Sequence, residues 1–183
     1  MKFAFRVDSS YQIGSGHLMR CITLAKALKD KNIESIFISI KNKDDMSSLI
    51  KKNNFKILNI NNKKKDKKNS FSWKFDAEET QKKIKDEKIS HLIVDHYEID
   101  EKWEKYLYKD LKKLIVIDDL ADRRHFCDTL LDYSLPIKNY LKLVPSHTEI
   151  LAGPKFALLD RSFIKERKKA KQQKENLKNK KLT

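Results

Sequence analysis

Three short stretches hold residue types whose spacing could do chemistry. The first is "DSSYQIGSGHLMR", where Asp8 is followed by Gly14, Gly16, His17 and Arg20. Two of the chain's three glycines are spent here, one residue apart. A Gly-Ser-Gly turn lets the backbone bend sharply and approach a ligand. A helix starting there would offer free N–H groups to an anion or a sugar hydroxyl. His17 directly after the glycines fits a general base, because a helix N-terminus disfavours a second positive charge and leaves the ring neutral. The plainer alternatives are a tight strand-to-helix turn and a histidine that only packs or caps. The third glycine of a dinucleotide fingerprint is missing, as is the Lys-Ser/Thr pair of a P-loop.

The second stretch is "VDHYEID", with Asp95, His96 and Tyr97 in a row. Asp95 and Tyr97 could hydrogen-bond a sugar or orient His17; a capping Asp beside a half-buried aromatic explains them equally well. The third is "IDDLADRRHFCD". Asp118 and Asp119 have the look of a cation pair. Arg123 and Arg124 close by favour ion pairing instead, and no metal is expected. Cys and His show no metal-ligand spacing.

The elements that must position these residues follow from periodicity. Residues 2–8 alternate as a strand, with Phe3, Phe5 and Val7 on one face and Ala4 and Arg6 on the other. A helix is predicted from Gly16 to about Lys31, with Leu18, Cys21, Leu24, Ala25 and Leu28 as its apolar stripe. Further strands are predicted at 33–40, 55–60, 90–95, 114–119, 127–134 and 148–154, and helices at 44–53, 75–88 and 100–113, the last with Asp100 as N-cap. Strands alternating with helices predict an α/β, Rossmann-like parallel sheet with helices on both faces. In such sheets ligands bind beyond the carboxyl ends of the strands. All three stretches fall there.

The chain has 183 residues and a net charge of +15, which raises the question of nucleic acid. The charge is localised. Residues 61–68, "NNKKKDKK", carry +4 and residues 165–183 carry +7, and both are Lys/Asn-rich with almost no aromatics to stack on bases. A solvated surface loop over 61–70 and a Lys-rich tail after a domain spanning 1–164 are the better readings. Two cysteines, Cys21 and Cys127, fit reduced thiols in a cytoplasmic protein, with Cys21 buried in its helix. No signal peptide and no membrane-length apolar run are evident.

Together, "RVDSSYQIGSGHLMRCITLAKAL", "LIVDHYEID", "VIDDLADRRHFCDTLLD" and "LAGPKFALLDRSF" resemble the N-terminal half of the UDP-2,4-diacetamido-2,4,6-trideoxy-β-L-altropyranose hydrolases. The resemblance runs from residue 1 to about residue 166 in the same segment order. It implies one domain of a glycosyltransferase-B-like two-domain architecture. It also implies hydrolysis of the sugar C1–O bond to UDP and free sugar in pseudaminic acid biosynthesis, with inversion and no cofactor or metal. His17 falls on the family's catalytic base. Asp95, His96 and Tyr97 fall on its "DHY" segment. Gly14, Gly16, Arg6, Asp8, Arg20 and Asp119 also lie in matched segments and are read as substrate-binding. The family's second, nucleotide-binding domain has no counterpart after Phe163. The expected partners are the UDP-linked diacetamido sugar, water and, as one alternative to a truncated and inactive remnant, a separately encoded C-terminal domain. A non-catalytic sugar-binding module and a subunit of a split glycosyltransferase stand as alternatives.

Overall fold

The computed structural model describes residues 1–8, 15–41, 46–61 and 71–160, with scattered positions up to 172. Gly14, the basic stretch 62–70 and most of the Lys-rich tail lie outside the described residues. The elements alternate along the chain. They are β1 (Lys2–Val7), α1 (Gly16–Lys29), β2 (Glu34–Ile40), α2 (Ser47–Lys52), β3 (Lys56–Ile60), α3 (Trp73–Asp86), β4 (His91–Asp95), α4 (Glu101–Tyr108), β5 (Lys113–Ile117), β6 (Thr129–Asp132) and β7 (Glu149–Ala152). The seven strands form one parallel sheet in the order β3-β2-β1-β4-β5-β6-β7.

The two faces sort as the alternation in β1 requires. Phe3, Phe5 and Val7 pack with Leu18, Cys21, Ile22 and Ala25 of α1 and Ile50 of α2. Ala4 packs on the opposite side with Ala77 and Ile84 of α3 and Trp103 and Leu107 of α4. Both faces are covered, so the strands read as continuous apolar runs. Cys21 and Cys127 are free, buried thiols.

Three ends differ from the periodic reading. α1 stops at Lys29 because Asn32 turns the chain through the left-handed region (φ 58°). α4 starts where predicted, with Asp100 accepting from the Lys102 N–H at 2.9 Å. It ends at Tyr108 rather than 113 because the Lys112 N–H donates to Ser90 O (2.8 Å), pulling the chain straight into β5. α2 is only six residues long.

The strand order reverses at β1: β2 lies on one side and β4 on the other, with Val7 beside Asp95. Beyond the carboxyl ends of β1 and β4 the crossovers diverge and leave a crevice. Asp8 and His96, the next residues on each strand, stand at its mouth.

Candidate active site at the sheet's carboxyl edge

That crevice holds a cavity of about 210 Å³ lined, among the described residues, by Asp8, His17, Asp95, His96, Tyr97 and Glu98. It is built in two tiers.

The lower tier centres on Arg6, completely buried on the α3/α4 face of β1. A buried guanidinium costs several kcal/mol unless it is paired. Arg6 is paired twice. Nη1 and Nη2 donate to Asp8 at 2.7 and 2.9 Å, while Nε and Nη2 donate to Asp76 of α3 at 3.1 and 2.5 Å. Trp103 Nε1 donates to the same Asp76 at 2.8 Å. Asp8 also accepts from Ser39 Oγ (3.1 Å), the Ile40 N–H (2.8 Å) and His96 Nε2 (3.0 Å). Burial favours the neutral acid at Asp8; Arg6 and His96 outweigh it and hold the carboxyl far below the usual range. His96 Nδ1 accepts the Glu98 N–H at 3.1 Å, so both of its ring nitrogens are engaged.

The upper tier centres on Asp95, at the end of β4 and buried. Arg20 of α1 grips it with Nε and Nη2 at 2.5 and 2.6 Å. Burial works against its charge, but the Arg20 and His17 hydrogen bonds prevail and its pKa is lowered. An ionised carboxylate only accepts, so His17 Nδ1, in contact with Asp95 Oδ1, must carry the proton. In that tautomer the lone pair lies on Nε2. No described residue hydrogen-bonds that nitrogen, and His17 lines the cavity. Tyr97 stands edge-on to His17, ring centres 4.4 Å apart, and donates its hydroxyl to Asp119 at 2.9 Å. Burial and Asp119 push the phenol up to about 12.

The structure thus brings Asp8, His17, Asp95, His96 and Tyr97 together around one cavity. Arg6, Arg20 and Asp119 are set behind its wall, and Arg6 has every nitrogen committed to Asp8 and Asp76. Packing against the described residues does not require Gly16: a Cβ there would meet none of them within 4 Å, and its φ is not left-handed. Ser15, the N-cap of α1, makes no side-chain cap, and no acid occupies the first turn.

Asp118 and Asp119 part company. Asp118 is buried, 2.9 Å from Arg123 Nη1, and Asp119 pairs with Arg20 at 2.9 Å. Ion pairing therefore accounts for both acids. Glu98 on the cavity wall, Tyr133 (3.3 Å from Arg20 Nη1), Asp76 and Arg123 were not singled out as site residues by sequence. Glu98 directly follows the "DHY" run and could have been. Arg123 lies in the third stretch and is read there only as an ion-pairing neighbour of Asp118 and Asp119, whereas Tyr133 and Asp76 come from distant elements that only the topology brings close.

The class of protein is a Rossmann-like α/β domain. The fold matches the crystal structure of Acinetobacter baumannii MurG, an enzyme of glycosyltransferase-B architecture, with a TM-score of 0.55 and 10% identity. The match covers 81% of this chain and 44% of MurG. In sequence, the chain is 30% identical over 180 residues to the UDP-2,4-diacetamido-2,4,6-trideoxy-β-L-altropyranose hydrolase of Campylobacter jejuni, a similarity spanning 95% of this chain and 57% of that protein. It is 27% identical over 173 residues to MJ1062 of Methanocaldococcus jannaschii, covering 92% of this chain and 33% of that one. No protein-family profile matches. The resemblance read from four segments thus extends across nearly the whole chain, which spans little more than half the length of the hydrolase.

Proposed function

We propose that this chain carries the sugar-binding, water-activating part of a UDP-sugar hydrolase acting on UDP-2,4-diacetamido-2,4,6-trideoxy-β-L-altropyranose. The observation that carries the reading is His17: Nδ1 is committed to a buried, ionised Asp95, and the basic Nε2 is left for the cavity. Water bound there gives a proton to Nε2 as its oxygen attacks C1. The C1–O bond breaks, its electron pair leaves on the UDP phosphate oxygen, and attack opposite the leaving group inverts C1. Tyr97 and Glu98 offer the sugar polar contacts at the wall.

The cavity is small for the whole substrate. Drug-sized ligands occupy about 300–1,000 Å³, whereas this pocket holds about 210 Å³, which suits a single sugar ring. The reading therefore assigns UDP to a second domain outside residues 1–164, on the same polypeptide or separately encoded. The Lys-rich segment 165–183 is read as a tail rather than a nucleic-acid surface. No helix among the described residues is long and apolar enough to cross a membrane. A nucleotide-sugar substrate and free buried thiols suit a cytoplasmic setting, and the similarity suits a step in pseudaminic acid synthesis.

The test measures UDP released from the UDP-linked sugar by wild type and by His17→Asn, with a second domain supplied where the chain alone is silent. Release by wild type and none by His17→Asn is expected. Equal release removes His17 from the mechanism. Release only with an added acceptor alcohol makes the chain part of a glycosyltransferase, and binding without release makes it a sugar-binding module.

A further inference from the structure

His17 and Tyr97 reach the cavity from different elements, α1 and the end of β4. Each is tethered to a carboxylate: His17 Nδ1 to Asp95 Oδ1, and the Tyr97 hydroxyl to Asp119 Oδ1 at 2.9 Å. The two carboxylates come from β4 and from the segment after β5, and they do not touch each other in any described contact. One side chain joins them. Arg20 Nε and Nη2 take both oxygens of Asp95, and Nη1 takes Asp119 Oδ2 at 2.9 Å. Tyr133, after β6, supports the guanidinium from below, its ring centre 5.7 Å from Cζ and its hydroxyl 3.3 Å from Nη1. His17 and Tyr97 then meet edge to face, closing a ring of five side chains.

We propose that Arg20 is the positioning residue of this site: a single guanidinium, acting through Asp95 and Asp119, fixes the tautomer of His17 and its relation to Tyr97. The inference rests on the proposed role of His17. Arg20 is not among the residues lining the cavity, and its guanidinium is spent on Asp95 and Asp119, so it acts through the two acids. It lies one turn after His17 on α1, so the two side chains share a face of the helix. Arg20 Nη2 stands 3.1 Å from His17 Nδ1, and both direct a hydrogen at Asp95 Oδ1. That oxygen accepts from both, so a flip of the ring would cost it one of its two hydrogen bonds. The planar fork is essential here. Lysine carries the charge on one point and cannot hold both oxygens of Asp95 while also reaching Asp119.

The experiment compares the full-length wild type with Arg20→Ala and Arg20→Lys. Imidazole nitrogen chemical shifts of the substrate-free protein report the His17 tautomer, and UDP release is followed as a pH profile. Wild type is expected to hold one tautomer, Nδ1–H. Arg20→Ala is expected to mix both and to lose turnover on the order of 10²-fold, mainly in kcat. Added guanidinium ion is expected to restore part of the turnover of Arg20→Ala and none of that of His17→Asn. Arg20→Lys is expected to fold and still to lose turnover; it decides the question by the same readings if Arg20→Ala does not fold. A single Nδ1–H tautomer with wild-type turnover and pH profile in these variants overturns the proposal. The tautomer is read without substrate, so a wild type that releases no UDP counts against the hydrolase reading alone and leaves Arg20 to be judged by the nitrogen shifts.

Discussion

His17 and His125 sit in environments that begin alike and end differently. Each imidazole presents Nδ1 to a buried carboxylate that is itself held by other donors. For His17 this is Asp95, gripped by Arg20. For His125 it is Glu104, at 2.7 Å, whose other oxygen accepts the Phe126 N–H at 2.5 Å. The second nitrogen separates them. His17 Nε2 belongs to a cavity wall. His125 is 2% exposed, and its Nε2 lies 3.8 Å from Asp118 Oδ2, where the acid acts as a neighbouring charge rather than a hydrogen-bond acceptor. Burial alone would keep His125 neutral; Asp118 and Glu104 on either side overcome it and push the ring up to about 9. One acid and a cavity leave His17 Nε2 open to a ligand, whereas two acids and full burial favour the charged form of His125. His96 is the middle case, at the cavity but with Asp8 and the Glu98 N–H on its two nitrogens.

The same conservative change at both histidines should therefore give opposite results. His17→Asn is expected to lower UDP release by about 10²–10⁴-fold, the usual worth of a positioned base, and to lower the urea midpoint only slightly, since Arg20 still holds Asp95 with two hydrogen bonds. His125→Asn is expected to leave turnover per folded molecule near wild type and to cost about 3 kcal/mol of stability, since Glu104 and Asp118 lose the cation between them. Urea unfolding followed by far-UV circular dichroism measures the second effect. A catalytic loss at His125 with intact stability would collapse the distinction.

The pH dependence sharpens it. His125 has a folded-state pKa of about 9, above the roughly 6.5 of an unfolded histidine. A raised pKa stabilises fully below the unfolded value, and that stabilisation is lost as pH rises through the folded one. The stability gap between wild type and His125→Asn should be widest near about pH 6 and narrow by up to roughly 3 kcal/mol by about pH 10. Arg123, facing the same Asp118, opposes the charge and is present in both proteins. A gap that widens with pH would mean that His125 is buried neutral.

These roles were unevenly legible in the sequence. The alternation in β1, the stripe on α1 and the Asp100 cap are local patterns, and they placed the elements within a few residues. The crevice was legible because Asp8, Asp95 and Asp118 each directly follow an apolar strand. Arg6 shows where local pattern runs out. Its face of β1 was predicted, and a charged residue on a strand covered on both sides must be paired. Its partner Asp76 lies 70 residues away, and nothing local in "SWKFDAEE" distinguishes that acid from its neighbours. Glu104 and His125 are likewise joined only by the packing of α4 beside β5. The early end of α4 also has a distant cause, the pairing of Lys112 with Ser90.

The smallest expected effect lies where the two networks meet. Arg123 donates Nε to Ile99 O at 2.8 Å and Nη2 to His96 O at 3.1 Å, and Nη1 stands 2.9 Å from Asp118. It therefore ties the segment 96–99, which carries the cavity residues His96, Tyr97 and Glu98, to the acid shared with His125. Removing it frees two backbone carbonyls that water can reach in part and leaves Asp118 to the Ala121 N–H and the neighbouring His125 ring, so Arg123→Ala should cost about 2 kcal/mol. The segment should loosen, raising KM for the sugar nucleotide more than it lowers kcat, because His17 is hydrogen-bonded from α1 to Asp95 beside Arg20 and meets this segment only at the edge of Tyr97. Amide hydrogen exchange at 97–99 should quicken, while the His17 nitrogen shifts stay at their wild-type positions. A shifted His17 tautomer in Arg123→Ala would mean that the two imidazole networks are mechanically one, joined through residues 96–99, and that the contrast between His17 and His125 holds only while this arginine separates their acids.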